Sequence, residues 1–147
     1  MSRKSAREVT FHLIFEMGFK EFEAETILMD RLDADIMASI SGEISLYAGP
    51  ISDKDRDYIT SVVKSTAEHL TEIDDSISKH SKNWDVKRLS RVSMAVMRLS
   101  LAESCYYDVP IATSINEAVE LAKKYESQQA SAFVNGILGA IAKDEPV

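Results

Sequence analysis

The chain has 147 residues, 45% hydrophobic and 28% charged, with a formal net charge of −7. That length suits a single domain burying roughly 70% of its unfolded surface, and the apolar content excludes a disordered chain. The acidic total excludes a protein coated in phosphate-binding charge, and a lone cysteine, Cys105, excludes an internal disulfide and fits the cytoplasm.

Residues 1–20 start with a basic group, Arg3, Lys4 and Arg7. Glu8, His12 and Glu16 interrupt the apolar run that follows, so it is neither a signal peptide nor a membrane span. Ala6, Val9, Leu13 and Met17 recur at helical spacing, and Phe11, Ile14 and Phe15 widen the apolar surface, so this helix packs on more than one side. A second helix is predicted over about 24–40, with Ile27, Leu28, Leu32, Ile36 and Ile40 inward. Gly42, Gly49 and Pro50 punctuate the connection that follows.

Ser52 is an N-cap with Asp53, Asp55 and Asp57 in the positive first turn. The period through Tyr58, Ile59, Val62, Val63, Leu70, Ile73 and Ile77 reads as one long helix or two with a bend, reaching about His80. Asn83, Trp84 and Asp85 read as a linker. Basic residues then gather: Lys79, Lys82, Lys87, Arg88, Arg91 and Arg98 face only Asp85. The helix over about 90–106 is apolar on nearly every side and belongs in the middle of a bundle. Within it Arg98 needs a partner, with Glu103, Glu117 and Glu120 as candidates, and Cys105 reads as a buried, inert thiol.

Pro110 ends that helix. Ser114 and Glu117 have capping-box spacing for the next one. The last helix starts after Ser127 and ends near Lys143; Gly136 and Gly139, three apart, suit the close approach of another helix. The whole is an all-α chain of about seven helices in one domain, 1–147. No phosphate loop, nucleophile elbow or dinucleotide fingerprint is present, and the three histidines show no metal-ligand spacing. Neither an enzyme nor a metal or cofactor protein is therefore expected.

Five strings carry a family likeness: Arg3 to Glu8, Val92 to Glu103 with its internal arginine, Asp108 to Pro110, Ile115 to Lys123, and Phe133 to Leu138. In this order and spacing the chain resembles the NusB family of transcription antitermination factors. The resemblance implies two roughly perpendicular three-helix bundles. It implies binding to single-stranded boxA RNA together with the small-subunit ribosomal protein that acts as NusE. Such a complex assembles on RNA polymerase and supports ribosomal RNA operon transcription. Carried onto this sequence, the RNA meets Arg3, Lys4 and Arg7, with Lys87, Arg88, Tyr125, Gln129 and Phe133 as further contacts, and Phe15, Arg88 and Ser93 belong to the protein-partner surface. A homodimer that hides the basic N-terminus is compatible with the family. The segment Gln129-Ala-Ser-Ala-Phe133 departs from the usual Asp-Ser-x-Lys-Phe pattern, which keeps open a helical interaction scaffold with weakened RNA binding.

Overall fold

The computed structural model describes residues 2–19, 52–81 and 89–144. The helix anticipated over 24–40, the linker at 83–85, and Lys87 and Arg88 lie outside these residues. The described residues form six helices and no strand: α1 Arg3–Phe19, α2 Asp53–Glu68, α3 Leu70–Lys79, α4 Arg91–Tyr106, α5 Ile111–Tyr125 and α6 Gln128–Asp144.

Four of the six starts have a serine cap. The Ser2 hydroxyl accepts from the Ser5 N–H at 3.0 Å and opens α1. Ser52 and Asp55 form a full capping box on α2: the Ser52 hydroxyl accepts from the Asp55 N–H at 3.1 Å, and the Asp55 carboxylate accepts from the Ser52 N–H and hydroxyl. Ser90 caps α4 and Ser127 caps α6 in the same single-bond manner. The long segment over 53–79 is two helices, because His69 (φ −113°, ψ 20°) leaves helical geometry between them.

Helix α4 stops at Asp108, whose φ of 57° lies in the left-handed region. The N–H groups of Tyr107 and Val109 both donate to the Glu103 carbonyl at 3.1 Å, satisfying the helix end. Pro110 then serves as N-cap of α5, four residues ahead of the start expected at Ser114. A proline needs no N–H partner there, and its fixed φ suits a helix start. Ser114 sits inside the helix, and its hydroxyl meets that of Ser100 at 3.1 Å in the buried α4–α5 contact.

Helix α4 is the axis of the molecule, with α1, α2, α3, α5 and α6 all packed against it. Val96, Met97, Leu99 and Ala102 are fully or almost fully buried, as a helix apolar all round requires. The two-residue link Glu126–Ser127 makes α5 and α6 neighbours. Helix α1 lies on α2 and α4 through Ala6, Val9, Leu13 and Ile14.

Three sequence expectations are corrected here. Arg98 pairs with Asp74 of α3, Nε to Oδ1 at 2.8 Å and Nη2 to Oδ2 at 2.9 Å, rather than with a glutamate. Cys105 is exposed, because the end of α4 emerges from the core. Gly136 and Gly139 are exposed, and a Cβ built on Gly139 would meet nothing within 4 Å, so among the described residues no helix approaches Gly139. No described helix is long and apolar enough to cross a membrane.

Candidate nucleic-acid interface

The basic residues at the start of α1 face three different environments. Lys4 is exposed, with no hydrogen bond or ion pair among the described residues. The Arg3 guanidinium lies over the Tyr58 ring, 4.2 Å from its centroid, and 5.7 Å from that of Tyr107. Arg7, one helical turn on from Arg3, is only 6% exposed. Its Nε reaches Glu103 Oε1 at 2.8 Å, its Nη2 reaches Oε2 at 2.9 Å, and Nη1 stands 3.7 Å from Glu117. Burial opposes the charge, yet the bonds to Glu103 outweigh it and hold the Arg7 pKa above its ordinary value. Burial and the Glu103 carboxylate likewise push the Tyr58 phenol up, so it stays neutral. The Arg7 fork, expected to neutralise a phosphate, is filled by Glu103, away from solvent.

A second ion pair ties α1 to α5. The Glu8 carboxylate, buried in α1, receives both the Lys124 ammonium and the Tyr125 hydroxyl, the latter at 2.6 Å. The Tyr125 ring lies 5.0 Å from Phe11 and edge-on to His12 at 5.2 Å, with Lys124 over it at 5.3 Å. Between these contacts opens a cavity of about 200 Å³ where the first turns of α1 meet α5. Lys4, Arg7 and Lys124 line it, and so do Glu8, Glu117 and Glu120; Leu121 supplies its apolar wall. The cavity is formally neutral even though it lies at the basic end.

The other expected residues are spread more widely. Gln129 is exposed at the start of α6, and Phe133, one turn later, is half-buried. Phe15 is half-buried against Phe11, with ring centroids 6.0 Å apart. Ser93, placed on the protein-partner surface from sequence, is 1% exposed: its hydroxyl and that of Ser90 donate to the Glu126 carboxylate, so the group offered to solvent there is Glu126. No cluster of three metal-binding side chains occurs among the described residues.

Sequence reasoning missed the acids. Glu8 inside an apolar run was the one visible signal, since a carboxylate at a core-facing position needs a partner. Nothing local marked Glu103 as the partner of Arg7 or Glu120 as a cavity residue.

The NusB family model matches residues 4–143. The transcription antitermination protein NusB of Natranaerobius thermophilus is 38% identical over 97% of this chain and 95% of its own length. That of Acetivibrio thermocellus is 35% identical over 97% and 90%. Among solved structures, T. maritima NusB superposes with a TM-score of 0.78 at 31% identity, covering 98% of this chain and 92% of that one. A crystal structure of antitermination factors NusB and NusE in complex with dsRNA holds a chain with a TM-score of 0.74 at 25% identity, covering 96% of both.

Proposed function

The chain belongs to the NusB family, and on that footing we propose that it is a non-catalytic antitermination factor that binds boxA-type single-stranded RNA together with the ribosomal protein that acts as NusE. The pair joins the antitermination complex on RNA polymerase, in the cytoplasm, and supports ribosomal RNA operon transcription. The observation that carries the reading is the meeting of Lys4 and Lys124 across one cavity between α1 and α5, in a chain matching the family over 4–143. Arg3 and the exposed Lys123 lie on the same two helices. Tyr125, Gln129 and Phe133 remain candidates for base contacts, and Phe15 for the protein partner.

Two or three phosphate contacts at roughly −0.7 each give a log–log salt slope between about −1.4 and −2. The test is fluorescence anisotropy with single- and double-stranded boxA RNA over a salt series, with and without NusE. Tighter binding of the single strand with NusE present, at such a slope, supports the reading, and Lys4→Ala should flatten the slope by about 0.7. A slope near zero overturns it.

The interaction scaffold stays as a second reading because Arg7 and Lys124 both already face carboxylates. NusE binding with no RNA effect would favour it.

A further inference from the structure

We propose that the cavity between α1 and α5 is a base pocket that takes a single splayed nucleobase carrying an exocyclic amino group, with guanine the best match. The inference rests on the RNA-binding reading and names what this site receives.

Size comes first. At about 200 Å³ the cavity is smaller than pockets that enclose whole cofactors, which run from about 300 Å³ upward, and it suits one heterocycle. A base enters such a space only when unstacked, as in single-stranded RNA.

Charge then favours a base over a phosphate as the occupant. Two of the three cations in the lining are already held by buried carboxylates, Arg7 by Glu103 and Lys124 by Glu8. Glu117 and Glu120 remain, and either one repels an anion. Glu117 has only the 3.7 Å approach of Arg7, and Glu120 is exposed with no hydrogen bond or ion pair among the described residues. These two carboxylates, three apart, share one face of α5 with Leu121 and Lys124.

An ionised carboxylate only accepts hydrogen bonds, so the occupant must donate them. Guanine offers two adjacent donors, N1–H and the 2-amino group, which match the two oxygens of one carboxylate. Cytosine and adenine offer one amino group each. Uracil offers N3–H between two carbonyl oxygens that the carboxylate repels. Leu121 gives the ring an apolar surface, and Lys4, with no partner among the described residues, lies at the cavity to meet the phosphate attached to that base.

The experiment uses the whole chain and fluorescent twelve-nucleotide oligouridine, without or with one central guanine, and a third strand with inosine in its place. The guanine strand should bind at least fivefold tighter than plain oligouridine, and inosine, which lacks the 2-amino group, should lose most of that gain. Glu120→Gln, an exposed change, should bring the guanine-to-uracil ratio toward one. Equal affinity for all three strands, with salt-sensitive binding retained, overturns the pocket and leaves the RNA-binding function standing. No binding of any strand, or of boxA RNA with NusE, overturns the function and the pocket with it.

Discussion

The guanidinium of Arg7 and the carboxylate of Glu103 come from positions 96 apart in the chain and meet almost out of water, with side-chain exposures of 7% and 1%. A buried pair of this kind adds little net stability over apolar residues of the same shape, but removing one partner leaves the other charge stranded, at a cost of about 3–5 kcal/mol. Arg7→Met should therefore lower the unfolding free energy in urea by that amount, and the double change Arg7→Met with Glu103→Leu should recover much of it. A drop in RNA affinity from Arg7→Met with an unchanged urea midpoint would return Arg7 to the interface. Residue type could not reveal this. An arginine in a basic N-terminal string has the same sequence signature whether it faces phosphate or a carboxylate on a helix far along the chain. Glu8 shows the converse: its place among core residues marked it as unusual, but not as the shared acceptor for Lys124 and Tyr125.

Helices were the legible scale. The 3.6-residue apolar period located α1, α2, α4 and α6 to within a few residues, because burial on one face is written directly into spacing. Boundaries were less so. His69 breaks α2 from α3 with no proline or glycine to announce it, and Pro110 took the cap expected of Ser114. Asp55 was foreseen only as a charge favourable to the helix dipole, whereas it completes a reciprocal cap with Ser52. Gly139 misled for a physical reason: small residues three apart fit a close helix contact, but they fit an exposed face equally well. With open space around the Cβ position of Gly139, Gly139→Ala should raise stability by about 0.5–1 kcal/mol, by removing conformational freedom from the unfolded chain. A lowered melting temperature would instead show an undetected neighbour at that face.

For the molecule as a whole, the central place of α4 followed from its composition, since a helix apolar all round must be enclosed. Which acid serves which base did not follow, because those pairings depend on how α1, α3 and α5 dock around it. That docking gives α4 two distinct sides. Glu103 points toward Arg7 of α1, while Leu101 and Cys105, each about 160° from it around the helix, line a second cavity of about 250 Å³ with Ile73, Tyr106 and Ile141. A maleimide dye on Cys105 should therefore leave RNA affinity within about twofold of the unlabelled protein. A larger loss would mean that nucleic acid wraps beyond the α1–α5 end.

Because this thiol has no sibling in the chain and emerges where α4 leaves the core, the protein carries a ready anchorage for an optical ruler. Energy transfer from a dye at Cys105 to one on the transcript could report which way the factor faces during elongation, with no engineered cysteine.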